Sequence, residues 1–302
     1  MVVVHPCGTL ELRGGGGEPV DFPRTVSSHG VAALPPSRVS RRGLVFATTF
    51  DLDHEQAVTV LLRQADRKQV RVNALGVLLA PERQARILDC VRAMLRLEED
   101  LHPFYELAAA DPDMSWVASG AGRMLRSPTV FEDVVKTICT TNCAWSATVR
   151  MVTALVQSLG TPDPQGRRAF PTPSAMAAEE DSFYSDRVRA GYRGRYLLNL
   201  ARAVAEGSID LEGLRDPDLP DQDVEQRLLA IPGVGPYAQA HIMLTSLGRY
   251  GRLILDSWTL PTWRRLSGQE AKTAAIEARF ARYGQYRGLA FWMYLTRQWL
   301  PD

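Results

Sequence analysis

The sequence has 302 residues, 45% of them hydrophobic, which is enough for one large domain or two to three smaller ones. It contains no apolar run long enough to span a bilayer and no basic segment followed by an apolar core near its start, so we expect a cytoplasmic protein without a membrane partner. The formal net charge of +1 gives no support to nucleic-acid binding, which usually accompanies a basic excess, although one basic face would suffice.

Residues 1–81 are predicted to form a β-rich domain. Alternations of apolar and polar residues at 44–48 and 70–73 are typical of half-buried strands, and Gly, Pro and Asp residues separate them. The stretch from Asp53 to Ala65 is interpreted instead as a helix, with Asp53 in the position of an N-cap. No catalytic signature falls in this part, so we expect a small antiparallel sheet that supports the rest of the chain.

Residues 82–302 are predicted to form a mostly helical domain, which makes the fold class α+β. Apolar residues recur there at helical spacing, and the Pro- and Gly-rich residues 161–174 are expected to be a loop. The predicted helices cover 82–97, 99–109, 131–142, 144–159, a segment that begins near Gly191, 224–230, and a segment from about Tyr237 that ends at Gly248.

The cysteines are too sparse for a cysteine-based metal site. They stand at positions 7, 90, 139 and 143, a spacing that fits neither a zinc ribbon nor a four-cysteine iron–sulfur run. Cys139 and Cys143 lie four residues apart on a predicted helix and could chelate a metal, but no second pair is near. We therefore expect reduced thiols and no iron–sulfur cluster.

Two predicted helices meet at residues 232–236, which read PGVGP. Gly233 and Gly235, on either side of Val234, allow a sharp turn and a close approach to another surface. The amides of such a turn and of the following helix start can bind a phosphate without a charged side chain. On spacing alone, a plain turn between two packed helices explains the pattern equally well.

The segment LLAIPGVGPYAQA, followed about twenty residues later by Asp256, resembles the helix–hairpin–helix superfamily of DNA glycosylases. The β-rich part is similar in kind to the sheet domain of bacterial 3-methyladenine glycosylase II and of 8-oxoguanine glycosylase. Further segments resemble this superfamily in the expected order, over roughly residues 120–300: SPTVFEDVVKTICTTN, FPTPSAMA, GYRGRYLLNLARAV and YGQYRGLAFWMYLTRQWL.

The resemblance implies two helical subdomains with the active-site cleft between them. It also implies that Gly233, Val234 and Gly235 grip the backbone of double-stranded DNA. In this family, hairpin carbonyls often hold a monovalent cation that bridges to a phosphate, and the matching positions are Leu229, Ile231 and Val234. A structural Na⁺ or K⁺ is therefore implied there, while no cofactor is expected for catalysis.

Asp256 is the candidate catalytic residue. Cleavage of an N-glycosidic bond leaves positive charge on the sugar, which a carboxylate in a partly dry site stabilises while it orients a water. Asp256 follows the apolar run 253–255, so a buried scaffold would hold it at a cleft. By itself an Asp before Ser257 and Trp258 is more often a helix cap; its distance from the hairpin favours catalysis.

The sequence lacks a lysine where strand-cleaving members of the family carry one. That amine lies two residues after the last hairpin glycine and forms a Schiff base with the sugar. Tyr237 occupies this position, and the lysines of the chain are Lys68, Lys136 and Lys272. We therefore expect a monofunctional enzyme without lyase activity, since Lys136, on the helix facing the DNA, is not expected to reach the cleft.

The flipped-out base is expected to enter an aromatic pocket, because a cationic alkylated base is attracted to aromatic faces. Relatives that repair alkylated DNA carry an aromatic residue at the position of Tyr237. Trp258 follows the catalytic Asp, Trp145 follows the DNA-contacting turn, and Phe291 with Trp292 lies on the last helix. Ordinary core packing is the alternative for these rings, and Tyr237 and Trp258 are the favoured pocket residues.

Asn142, Tyr192 and Arg193 match the trio with which 8-oxoguanine glycosylases fill the gap in the duplex and read the orphaned cytosine. A second arginine of that family would fall at Ala147, so recognition of the opposite base is in doubt. Asn142 and Arg193 are still predicted to contact DNA. His241, on the second hairpin helix, is interpreted as a packed or surface histidine.

Together these features predict a monomeric glycosylase of base-excision repair that hydrolyses alkylated purines such as 3-methyladenine from duplex DNA. The alternatives are excision of 8-oxoguanine or uracil, and a non-catalytic protein that binds damaged DNA.

Overall fold

The computed structural model describes residues 3–51 and 56–299. Its strands are β1 (Val4–Glu11), β2 (Arg38–Val39), β3 (Val45–Phe50), β4 (Val58–Asp66) and β5 (Gln69–Leu75). They form one antiparallel sheet in the order β1-β5-β4-β3-β2. The predicted N-terminal antiparallel sheet is therefore confirmed.

Strand β4 corrects the helix expected from Asp53 to Ala65. Residue 53 lies outside the described residues, but 58–65 belong to the strand. Val60 pairs with Thr48 of β3 and with Ala74 of β5, so β4 has neighbours on both sides. β-Branched residues such as Val58 and Val60 favour a sheet, and pairing with both neighbours outweighs a helix-like pattern in one segment.

The helical part follows the predicted segments closely. The helices of the described residues are α1 (Phe22–Val26), α2 (Pro81–Met94), α3 (His102–Ala109), α4 (Val130–Thr140), α5 (Trp145–Leu159), α6 (Pro173–Ala177), α7 (Arg193–Ala205), α8 (Asp221–Leu229), α9 (Pro236–Ile242), α10 (Thr259–Ser267), α11 (Thr273–Phe280) and α12 (Arg287–Thr296). Short 3₁₀ segments occur at Gly30–Ala33, Ser115–Ser119, Glu212–Arg215 and Ala281–Tyr286, and π-type segments at Phe183–Arg187 and Met243–Leu247.

None of the helices described is both long and apolar enough to cross a membrane.

The sheet and α2 share one apolar core. Ile87 and Val91 of α2 are fully buried in the same cluster as Val60 and Val72 of the sheet. The core therefore continues across residue 81, where the sequence places a domain boundary, and that boundary stays a prediction.

Helix α9 lies between two helical cores. Ala238 and Ile242 are buried in a core that includes α4, α5, α7 and α8. Ala240 and Leu244 are buried in a second core that includes α3, α10, α11 and α12. Tyr237, in the first turn of α9, packs against both cores. The fold thus places the start of α9 at the junction of the two cores.

Candidate active site

The turn between α8 and α9 needs a glycine at position 233. Gly233 has φ +93°, and a Cβ there would lie 2.8 Å from the Tyr196 ring of α7. Val234 N donates to Ile231 O over 3.0 Å, which closes the turn. Gly235 is extended, with no atom near its missing Cβ. The hairpin therefore packs on α7 on one side and is open on the other.

The open side of the hairpin faces a cleft of about 710 Å³. The cleft brings together the hairpin, the turn after α4, the start of α7 and the loop before α10. Its lining residues are Thr140, Thr141, Asn142, Cys143, Tyr192, Tyr196, Gly233, Val234, Gly235, Pro236, Tyr237, Ala238, Asp256 and Ser257.

Asp256 caps α10 and lines the cleft at the same time. Its Oδ1 accepts hydrogen bonds from Trp258 N at 2.9 Å and Thr259 N at 2.7 Å, and Thr259 Oγ1 accepts one from Asp256 N at 2.8 Å. The buried Ile254 anchors the preceding segment in the second core. The cap is therefore present, and it fixes one carboxylate oxygen. The side chain remains half-buried at the cleft, and its catalytic role stays a prediction.

Tyr237 lines the cleft beside the end of α4. Its hydroxyl lies 3.4 Å from Thr140 Oγ1, and its ring stacks on His241 with centroids 5.9 Å apart. Burial, together with the charge of Asp256, raises the pKa of Tyr237. The side chain is therefore a neutral phenol at pH 7 that lines the cleft.

The remaining pocket candidates lie outside the cleft lining. Phe291 is a core residue, fully buried against Trp263 and Phe280, because its face of α12 turns into the second core. It does not line the cleft in this structure, and its pocket role stays a prediction. Trp145, half-exposed at the start of α5, projects toward Gly30 instead. Trp258 is 38% exposed beside Asp256, and its pocket role stays a prediction.

Asn142 and Tyr192 stand together at the rim of the cleft. Asn142 adopts a left-handed backbone conformation with φ +46°, which asparagine tolerates better than most residues. Its Nδ2 donates to the Tyr192 hydroxyl over 3.4 Å, and Tyr192 is 54% exposed. Both side chains are accessible in the way that the predicted contact with DNA requires.

The predicted contact of Arg193 with DNA is not borne out, because its side chain points into the protein. It is 7% exposed, and its guanidinium donates to Thr141 O, to Asn142 O at 3.0 Å and to Ala190 O. The same group lies 4.5 Å from the Tyr192 ring centroid. Arg193 therefore holds the rim from beneath. The sequence around Arg193 does not predict this role, because the carbonyls that it binds belong to the turn after α4.

Arg193→Met should therefore destabilise the protein by about 2–3 kcal/mol, because buried carbonyls lose charge-assisted hydrogen bonds. Arg193→Lys should recover part of the loss. Urea unfolding measures the free energy, and Arg195→Met, at an exposed position of the same helix, is the matched control. Equal stability of the Arg193→Met and Arg195→Met variants would contradict the role.

The Lys136 side chain is buried away from the cleft. It is 1% exposed, and its Nζ donates to Glu132 Oε1 at 2.6 Å and to Leu34 O at 3.4 Å. This buried ion pair keeps the amine inside the first core, on the side of α4 that faces the N-terminal segment. The residue therefore does not supply an amine to the cleft in this conformation.

The hairpin carbonyls named for a cation are of a suitable donor type. Leu229 ends α8, so its carbonyl stands at the negative end of that helix. The oxygen of Ile231 accepts the bond from Val234 N and retains a second lone pair. Neutral carbonyl oxygens at a turn are hard ligands that suit Na⁺ or K⁺ better than a transition metal.

Comparison with known proteins finds similar sequences and a similar fold among DNA glycosylases. No protein-family model matches the sequence. A DNA-3-methyladenine glycosylase of Bacillus subtilis is 25% identical over 173 residues, which are 55% of either chain. The chain thus spans about half the length of this curated relative.

Several solved structures match nearly the whole chain. The 3-methyladenine DNA glycosylase of Archaeoglobus fulgidus is 19% identical, with a TM-score of 0.70 over 96% of this chain and 98% of its own. The 8-oxoguanine glycosylase/lyase of Clostridium acetobutylicum, in its apo form, is 19% identical, with a TM-score of 0.71 over 98% of both chains. At this identity the likeness shows a shared fold, with the sheet and the helices in one arrangement.

Proposed function

We propose, since this chain has the fold of the helix–hairpin–helix DNA glycosylases, that it removes damaged bases from duplex DNA by hydrolysis of the N-glycosidic bond. One observation carries the proposal: Asp256 and the hairpin residues 233–235 line the same cleft. A strand gripped by the hairpin would bring its sugar to the carboxylate.

Asp256 would act on the sugar through Oδ2, the carboxylate oxygen that does not take part in the cap. Two backbone amides hold Oδ1, so the carboxylate is oriented before substrate binds and needs no reorganisation during the reaction. The second oxygen, Oδ2, stabilises positive charge on the sugar as the base departs. It also orients the water that attacks the sugar carbon.

An alkylated purine is the proposed substrate, as the name of the Bacillus subtilis relative suggests. Such a base carries positive charge and leaves without prior protonation. The neutral ring of Tyr237 offers it a cation–π contact worth about 0.5–2 kcal/mol. Excision of 8-oxoguanine or uracil is the alternative that an activity test must exclude.

Duplex DNA is the proposed partner. The hairpin would bind its backbone, and the rim residues Asn142 and Tyr192 would enter the duplex. The amides of Gly233 and Gly235 would contact phosphates, while Val234, whose amide closes the turn, would lie between them against the strand. Na⁺ or K⁺ on the carbonyls of the same hairpin would add a positive charge there. Asn142 and Tyr192 would occupy the gap left by the flipped base. A monomer, a cytoplasmic location, and catalysis without a cofactor or iron–sulfur cluster stay predictions.

Strand cleavage is not part of the proposed reaction. A lyase needs an amine near the sugar, whereas Tyr237 stands at the family's lysine position and the Lys136 amine is buried against Glu132. The expected product is therefore an abasic site in an intact strand.

The test is an excision panel with methylated DNA and with duplexes that contain 8-oxoguanine or uracil. We expect release of alkylated purines, strand breaks only after alkali, and no covalent adduct on treatment with borohydride. Release of 8-oxoguanine alone would overturn the substrate class, and a trapped adduct would overturn the monofunctional reaction. A protein that binds every duplex and releases no base would be a non-catalytic damage-binding protein.

A further inference from the structure

Two buried histidines lie behind Tyr237, and the proposed reaction leaves them without a role. His241 is one helical turn after Tyr237 on α9, and His29 precedes the 3₁₀ segment Gly30–Ala33. They are 4% and 3% exposed, and their rings meet edge to face with centroids 5.9 Å apart. The Tyr237 ring stacks on one side of His241, and Trp292 packs against it at 6.2 Å.

The hydrogen bond of His29 determines its tautomer. His29 Nε2 lies 2.7 Å from Leu125 O, and a carbonyl oxygen only accepts, so Nε2 carries the proton. Burial lowers the pKa of His29 to about 4 and that of His241 to about 3. Both rings are therefore neutral at pH 7, and His29 Nδ1 presents a bare lone pair.

Three ring nitrogens of this pair lack a partner. Within residues 3–51 and 56–299, His29 Nδ1 and both nitrogens of His241 make no hydrogen bond. A buried polar atom without a partner is costly, and a core position has no need of one, since Phe or Leu would pack there without the penalty. Neutral imidazoles with unused donors and acceptors are suited to a polar ligand.

The pair lies one ring away from the reacting groups. Tyr237 lines the cleft together with Asp256 and covers His241. On the other side, the ring of Trp258 packs on Trp292 at 5.5 Å, and Trp292 packs on His241. A continuous aromatic wall thus runs from the cleft through His241 to the residue two positions after Asp256.

We propose that His29 and His241 form the polar inner end of the base pocket and hydrogen-bond the edge of an amino-bearing alkylated purine such as a 3-alkyladenine. His29 Nδ1 accepts a bond from the exocyclic amino group, and His241 offers one donor and one acceptor. The Tyr237 ring, whose hydroxyl is held by a long 3.4 Å contact with Thr140, turns aside to admit the base. This inference rests on the proposed glycosylase activity.

The same lone pair predicts selectivity. A purine with a carbonyl oxygen in place of the amino group, such as hypoxanthine, sets two acceptors against each other at His29 Nδ1. Such a base leaves both atoms unpaired, and a site built to hydrogen-bond an amino group rejects it strongly. The pair would therefore separate alkyladenine from deaminated adenine.

The test uses the full chain with His241→Phe and His29→Leu, which remove the ring nitrogens, and with His241→Gln and His29→Gln, which keep polar atoms. Release of 3-methyladenine from methylated DNA is compared with release from a hypoxanthine duplex. Binding of a duplex with a tetrahydrofuran abasic analogue, which has no base, is the control. We expect kcat/KM for 3-methyladenine to fall about tenfold or more in the Phe and Leu variants, with partial rescue by Gln and unchanged binding of the analogue.

The outcomes separate this inference from the proposed function. Unchanged 3-methyladenine release, or an equal loss for both bases and for the analogue, would overturn the role of the pair while glycosylase activity stands. A native protein that releases no base would overturn both. His29→Leu also removes the bond to Leu125 and is the more disruptive variant. His241→Phe breaks no hydrogen bond that the described structure contains, so its result decides.

Discussion

Asp256→Asn is expected to lower the rate of base release by about 10³-fold, the magnitude found when a charge-stabilising group is removed from an active site. The amide has no negative charge to stabilise a cationic sugar and does not activate water. It retains an oxygen in the position of Oδ1, so the bonds from Trp258 N and Thr259 N are preserved. Binding of a duplex with an abasic analogue should change by less than about threefold, since the native protein and the variant make the same ground-state contacts with it.

Asp256→Ala is the matched control for folding. It removes the cap of α10 as well as the charge, so it should cost about 1 kcal/mol of stability, which the Asn variant does not. Single-turnover base release and thermal unfolding separate the two effects. An Asn variant that retains more than a tenth of the native rate would contradict a catalytic role for this carboxylate.

Arg123→Met is expected to cost about 3–5 kcal/mol of unfolding free energy, because it leaves a buried carboxylate without its cation. Arg123 is fully buried, and its guanidinium contacts the carboxylate of Glu18 and the carbonyls of Arg96 and Glu99. Glu18 Oε1 also accepts a bond from Leu101 N at 2.8 Å. This network joins the segment after β1 to the start of α3.

The double variant Glu18→Gln with Arg123→Met should be less destabilised than Arg123→Met alone, since no buried charge is then unpaired. Urea unfolding of the two variants and of Arg264→Met, at an exposed position of α10, measures the difference. A loss below about 1 kcal/mol for Arg123→Met would show that the ion pair contributes little. Base release should persist in the folded fraction, because none of these residues lines the cleft.

The hairpin and Asp256 were predictable because their signals are local. Gly233 requires a positive φ, and the run 253–255 requires burial, so the chain near each residue determines its conformation. The helices after residue 81 were predictable for the same reason, since the spacing of apolar residues follows the helical period. Gly248 ends the hairpin's second helical segment in a left-handed conformation, as its position in the sequence predicts.

The positions that the sequence did not predict share a cause, which is that each residue's environment comes from distant segments. The strand at 58–66 depends on pairing with β3 and β5. Arg193 turns inward because the carbonyls of the α4 turn lie beneath it, 52 residues earlier in the chain. Phe291 packs into the second core because α10 and α11 cover its face of α12.

The helical periods, the glycine turn and the carboxylate beyond it follow from the order of the residues alone, because backbone sterics and apolar spacing act within one segment. The packing of distant segments sets which groups share a cleft and which cations are buried, and it brings His29 against His241 behind Tyr237. Those outcomes depend on long-range packing and on hydrogen bonds between segments, which leave no periodic mark in the order of the residues.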